Sequence, residues 1–402
     1  AHGAPIAEIV EPAMAAWKSD AMKDAWVQRL KSQTASPNMM TLAMDGVAAI
    51  EAREAVEPLQ AIVSNSSEWM RLRLPAARAL AATGPTVQLA LAKELLSARS
   101  SPEALNALLA VAMIANDDSP ESIEFLQGLV GNNNTSVQGN ALAHLYRIDY
   151  KLVEPYCEDM ITSPDVNVRR WCAQTLIDGR DADRVALLAS LIDDVNPTLR
   201  RKVSAALVDF GQQTALKPAV IDATEQIIAR DNWRGCEQAC VVLAKLDHKP
   251  SGPRMVELLG HARGDVQVAS AWGLTQLRIP ELLPDMLEHA QSVYDGFRAG
   301  GYKYNMPGRE EHIAHIFTAF GDQKYLPAEP LIMKYIPKDH SLGYESRAAG
   351  AWALGMLYKD NVKEELVPVL VGRMLDGVSM DPESGLMCQM SAISLGRMKA
   401  AK

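Results

Sequence analysis

The residues of this chain that could do chemistry fall into a few groups, and their spacing limits what each can be. Glu310, Glu311, His312 and His315 come nearest to a metal constellation, because two histidines three apart on a helix share one face. Two ligands do not make a site. A third would have to arrive from a neighbouring helix, with His289 as the candidate, and the H-E-x-x-H pattern that supplies a general base beside zinc is absent. His312 and His315 are therefore weak metal candidates, read first as surface or helix-end histidines, and no cofactor is expected. Cys236 and Cys240 in GCEQAC also sit one helical turn apart, but Cys240 falls on a small core position of the repeat described below, which favours packed thiols over a redox or metal pair. Arg169, Arg170, Arg200, Arg201 and Lys202 form a basic cluster that could meet phosphates or an acidic partner. Asp165, Asp193, Asp194 and Asp209 lie close in sequence, so Asp to Arg pairs between adjacent repeats account for it. No Walker-type phosphate loop and no Ser, His and Asp set can be assembled.

One stretch concentrates aromatic and basic side chains as no other does. Ala290 to Arg309, AQSVYDGFRAGGYKYNMPGR, carries Tyr294, Phe297, Arg298, Tyr302, Lys303 and Tyr304 among Gly296, Gly300, Gly301, Pro307 and Gly308. The glycines and proline predict a turn-rich insertion between a helix ending near His289 and one starting near Glu310. Aromatic and arginine side chains bury much area while keeping a polar handle, which makes these six residues the candidates for contact with a partner. The competing reading is that the rings fold back over a bend between two repeats. Trp272 and Trp352 recur at one position, in AWGL and AWAL, with Trp171 and Trp233 near the starts of their units. Such a stripe could receive a peptide, though a repeated Trp more often fills the layer between repeats.

The elements that must hold these residues repeat. Residues 164 to 194 read as two short helices, with Val168, Cys172, Ala173, Leu176 and Ile177 as the apolar stripe of the first and Val185, Leu188, Leu191 and Ile192 as that of the second. Gly179 separates them and Asp181 or Asp183 can cap the second. A pair this small closes no core alone, so similar pairs must cover it on both sides. A small residue followed three positions later by Leu recurs at 77–80, 173–176, 204–207, 271–274, 351–354 and 392–395, giving about ten units from Pro37 onward. Residues 1–36 form an N-terminal helical cap with Trp17 and Trp26 plugging the first repeat, and 37–402 form the array.

Composition agrees with thin helical layers: of 402 residues, 48% are hydrophobic but only 5% aromatic. The net charge of −9 disfavours nucleic acid as a partner. No apolar run approaches the roughly 18 residues of a membrane span. Five cysteines without disulfide or zinc-knuckle spacing read as reduced thiols. The Met-less start at Ala1 fits a trimmed initiator, a cleaved export signal or a shortened chain, so the expectation is a soluble protein, cytoplasmic by default, with a processed exported protein as the alternative.

Arg169, Arg200 and Arg347 each stand four residues before the small residue, and together with DVNVR (165–169) and DVQVA (265–269) this resembles the Asp and Arg pattern of HEAT repeats. The resemblance implies an all-α, right-handed solenoid of about ten stacked helix pairs. It also implies binding of another protein or peptide along a concave surface, here expected on the second helices and the 290–309 insertion. A structural subunit of a larger assembly is the alternative. HEAT-like enzymes, DNA glycosylases and bilin lyases, are a further one, but neither family's active residues can be matched position by position.

Overall fold

The computed structural model describes residues 3–32, 34–98, 102–300, 307–377 and 380–400. Among them every regular element is helical, and the chain divides into two compact units, Ala1–Gly179 and Arg180–Lys402. In the first unit the helices are α1 (Gly3–Ala16), α2 (Lys23–Ser32), α3 (Pro37–Ala49), α4 (Val56–Ser64), α5 (Met70–Thr83), α6 (Pro85–Ser97), α7 (Glu103–Met113), α8 (Pro120–Val130), α9 (Thr135–Ile148), α10 (Cys157–Met160) and α11 (Val166–Gly179). The second unit holds α12 (Val185–Ala189), α13 (Pro197–Gly211), α14 (Lys217–Ile228), α15 (Trp233–Lys245), α16 (Gly252–Leu258), α17 (Gly264–Leu277) and α18 (Leu283–Arg298). It continues with α19 (Arg309–Asp322), α20 (Glu329–Met333), α21 (Tyr344–Leu357), α22 (Leu366–Leu375) and α23 (Gly385–Met398).

Local sequence explains where these helices begin and end. Ser36, Asn134, Asn196 and Ser384 each accept a hydrogen bond from an amide of the first turn, and Pro37 and Pro197 follow two of them, where a missing N–H is harmless. The ends recur. Lys18, Glu51, Arg180, Asp247, Arg278, Lys324, Asp360 and Lys399 all take positive φ, between +49° and +65°, just after an odd-numbered helix. The residue that follows often donates to the carbonyl five positions back: Ala52 to Val47 at 2.9 Å, His248 to Leu243 at 3.0 Å and Tyr325 to Phe320 at 2.9 Å. That is the Schellman closure, made here with charged residues in place of glycine. The break predicted at Gly179 lies one residue later, at Arg180.

Within each unit the odd-numbered helices form a continuous layer in which each packs on the next, α1 on α3 included, and the even-numbered helices pack mainly against the odd ones. The predicted stripes are the core: Val168, Cys172, Ala173 and Leu176 are buried, as are Val185, Leu188, Leu191 and Ile192, while Ile177 is half-buried. Backbones touch in the second unit. A Cβ on Gly321 would lie 2.9 Å from the Ala353 Cα, and one on Gly355 would lie 2.6 Å from the Ser394 Cα, so α19, α21 and α23 approach more closely than larger residues would permit. In the first unit Trp26 is fully buried against Gly46, its Nε1 donating to Glu11 at 2.9 Å, whereas Trp17 is 75% exposed.

The position four before the small residue has one structural job. Arg73 Nε donates to the Val63 carbonyl at 2.9 Å, Arg169 Nη1 to Ser163 at 2.6 Å and Arg200 Nη1 to Asp194 at 2.7 Å. Arg347 reaches the Tyr335 carbonyl at 3.2 Å, and Gln267 that of His261 at 2.7 Å. Each donor satisfies carbonyls left open where the preceding segment ends. Cys236 and Cys388, at the same position, point their thiols at the Arg230 and Arg373 carbonyls.

Candidate functional site

Most of the residues singled out by chemistry are occupied by the fold. His289 Nε2 and His312 Nε2 stand 3.1 Å apart, His312 being 1% exposed. Burial lowers the pKa of His289 to about 4 and that of His312 well below the usual range, so the pair is neutral. His315 is half-buried, its pKa also lowered by burial, and it lines the groove described below. No group of three or more metal-ligating side chains forms among the described residues. All five cysteines are free; burial pushes Cys236 and Cys240 upward, and Cys172 is raised by its hydrogen bond with Cys157 and by burial, so these thiols are poor nucleophiles. Asp193, placed in the charge cluster by sequence, accepts from the Gly235 amide and from Asn232 and so caps α15. Glu310 caps α21 through the Tyr344 amide at 2.9 Å.

The aromatic and basic stretch is arranged differently from the expected loop. α18 runs without interruption through Gly296 to Arg298, so Tyr294, Phe297 and Arg298 lie on its last turns. Tyr294 packs against Tyr335 with ring centroids 5.5 Å apart, and the Lys334 ammonium lies 4.9 Å from its ring. Arg298 pairs with Asp339 at 2.6 Å, and the Arg309 guanidinium covers Phe297 at 3.7 Å. These three side chains bind neighbouring elements of the same unit. Tyr302, Lys303 and Tyr304 lie outside the described residues.

An open groove lies elsewhere, on the odd-numbered layer of the second unit. Its volume is 580 Å³, within the few hundred to a thousand Å³ of typical ligand sites. Three successive helices of that layer each contribute one stripe: Glu237, Val241 and Lys245 from α15; Asp265, Val268, Ala269 and Trp272 from α17; Glu311 and His315 from α19. Pro307 and Gly308 close one edge, seated directly on Gly264, where a Cβ would meet the Pro307 carbonyl oxygen at 1.9 Å. The carboxylates gather at the starts of the three helices, and Lys245, Trp272 and His315 lie one to two turns further on. Burial raises Glu237; Arg200, 4.0 Å away, lowers it by more than Asp265 raises it. Beside this end three guanidinium groups, of Arg200, Arg234 and Arg263, surround Trp233 at 5.6, 4.6 and 4.4 Å.

Sequence reasoning singled out Trp272, Glu311 and His315 but neither their meeting nor the roles of Glu237, Val241, Asp265 and Val268. The available signal was a stripe at i, i+4 and i+8 that mixes charge with Val. Trp352, at the position equivalent to Trp272 and half-buried like it, has the Arg397 guanidinium 5.1 Å from its ring, and a Cβ on Gly321 would meet it at 2.6 Å. Binding was expected on the second helices, yet this groove is built from first helices.

The sequence matches no family model and no curated protein. Solved structures do match. Kap95p, from work in which its binding induces the switch loops of RanGDP to adopt the GTP-bound conformation, aligns with a TM-score of 0.55 at 14% identity, over 94% of this chain and 55% of that one. The Kap95:Nup1 complex aligns at 0.51 and 15% identity, over 95% and 57%. Yeast importin-beta (Kap95p) gives 0.49 and 14%, over 94% and 57%. The chain thus spans a little over half the length of these structures. At such identity the likeness concerns fold alone: this chain is an all-α solenoid of HEAT-type repeats.

Proposed function

We propose that this chain is a protein-binding scaffold whose contact surface is the odd-numbered helix layer of the second unit. The observation that carries the reading is the groove across α15, α17 and α19, where half-buried Val241, Val268 and Trp272 line an open space. An apolar floor with convergent polar groups is the usual form of a recognition site. Stacked repeats hold it in place before a partner arrives, which lowers the ordering cost of binding. The Kap95:Nup1 complex, a repeat array of the same fold solved with a bound protein, supports the reading. Tyr302, Lys303 and Tyr304 stay candidates for partner contact on their residue types alone, whereas Tyr294, Phe297 and Arg298 are engaged with Tyr335, Arg309 and Asp339.

Site-specific photo-crosslinking in an extract of the native source tests this. A photoreactive residue in place of Lys245, on the groove rim, should yield a discrete protein adduct that the same residue in place of Lys217, exposed on α14, does not. Equal labelling at both sites, or none at either, would count against a partner on this surface.

A further inference from the structure

The groove is polarised, and its dimensions say what it would hold. Its carboxylate end comprises Glu237, Asp265 and Glu311; its other end holds Trp272, with Lys245 and His315 beside it. Asp265 and Trp272 are seven residues apart on one helix, about 10 Å along the axis. An extended peptide covers that distance in three residues, at about 3.3 Å each. Between the ends the floor is Val241, Val268 and Ala269, which offers nothing to a polar side chain. We propose that the groove takes an extended segment of a partner protein that places a basic side chain, arginine above all, at the carboxylate end and a bulky apolar side chain on Trp272 two or three residues away. The inference rests on the protein-binding reading and narrows it to a class of segment.

Charge complementarity decides the orientation. Three cations stand near the carboxylate end: Arg200 at 4.0 Å from Glu237, Arg263 at 3.0 Å from Asp265, and Arg234 over the Trp233 ring at 4.6 Å. Two of them have other contacts to keep: Arg200 donates to the Asp194 carbonyl, and Arg263 lies 4.4 Å from the Trp233 ring. None of them pairs with Glu311, whose charge adds to that of Glu310 and Glu345 beside it. Glu345 on the next odd-numbered helix is raised by burial and then by Glu311 and Glu310, so the acidic surplus sits at the Glu311 side, whereas Glu237 is raised by burial while Arg200 offsets Asp265. A guanidinium suits the site better than an ammonium, because its planar fork can serve two carboxylates and it loses less hydration on entering a half-buried groove. Lys245, at the far end, disfavours a second basic residue there and sets the direction of the segment.

Phage display of random nonapeptides against the full chain, followed by fluorescence anisotropy on labelled synthetic copies of the enriched peptides, tests the proposal. Enriched peptides should carry Arg or Lys two to three residues from Leu, Met, Phe or Trp. Their affinity should fall at least 10-fold in a Glu237→Gln/Glu311→Gln variant and at least 10-fold in Trp272→Ala, with Trp272→Phe retaining most of it. Circular dichroism and melting should match those of the unaltered chain. Enrichment of peptides without a basic residue, enrichment of none, or binding that survives these substitutions would overturn it. In the last case, with the Lys245 crosslink intact, the scaffold reading stands and only the basic-segment assignment falls. Should the Glu237 substitution disturb folding, Glu311→Lys at an exposed position supplies the same test of charge.

Discussion

Arg347 and Glu383 have no exposed side-chain surface, and two parallel hydrogen bonds of 2.7 Å join them. Glu383 also accepts from the Ser384 amide at 2.9 Å, while Arg347 reaches back to the Tyr335 carbonyl. Burial pushes the Glu383 carboxyl upward, but these donors and Arg373 outweigh it and hold its pKa low. Removing one partner strands the other without water, so Arg347→Met should cost about 3–5 kcal/mol in chemical denaturation; a loss below about 1 kcal/mol would show the pair to be dispensable. The buried histidines give a pH dependence of definite sign. Their folded pKa values lie below the unfolded value near 6.5, with His289 at about 4, so the unfolded chain gains protons that the folded chain refuses. Stability is therefore complete above about pH 6.5 and falls as pH drops toward 4, by up to about 1.4 kcal/mol per unit for each histidine. A His289→Leu/His312→Leu variant should flatten that slope, and an unchanged slope would place the acid sensitivity elsewhere. The sequence marked Arg169, Arg200 and Arg347 as equivalent but could not show what they bind, because a backbone carbonyl leaves no trace in residue type. Arg73 stands four before Ala77 in the same way and was legible by the same rule.

Elements were read well where periodicity is strong and poorly where glycine was taken as punctuation. Gly296 lies inside α18, where one glycine costs only about 1 kcal/mol relative to alanine, and the contacts of Tyr294 and Phe297 on either side offset it. The true turns sit at charged residues in left-handed conformation, each strained by about 1–2 kcal/mol. Asp247, exposed at φ +53°, should therefore tolerate glycine; after the added entropy of the unfolded chain, Asp247→Gly should stabilise by about 0.5–1 kcal/mol. A lower denaturation midpoint for that variant would mean that the side chain contributes more than its backbone strain. Gly264 is the opposite case. The Pro307 carbonyl occupies the space of its missing side chain, so Gly264→Ala should displace the 307–308 turn, reshape the groove edge and weaken peptide binding while leaving helix content unchanged. Preserved affinity would separate the groove from that turn. The groove itself was hidden in the sequence because periodicity tells buried from exposed, not which exposed stripes of successive helices lie side by side.

At the scale of the whole chain, a repeat array is held together by neighbours, and this bears on how damage spreads. The all-helical repeat architecture was legible because every unit needs the same apolar pattern, whereas the site depends on departures from it. Within each unit every odd-numbered helix packs on the next and on even-numbered partners, so a lesion should be felt over adjacent pairs and fade beyond them. Arg347→Met removes the buried contact to Glu383 and with it a tie between α21 and the segment that leads into α23. Hydrogen exchange followed by mass spectrometry should then show faster exchange in α19, α21 and α23, with α3 and α5 unchanged. Arg73→Met, which uncovers the Val63 carbonyl beside α5, should show the converse. Acceleration throughout the chain in either variant would mean that the array unfolds as one cooperative body, and the groove on α15, α17 and α19 would then be sensitive to substitutions anywhere in it.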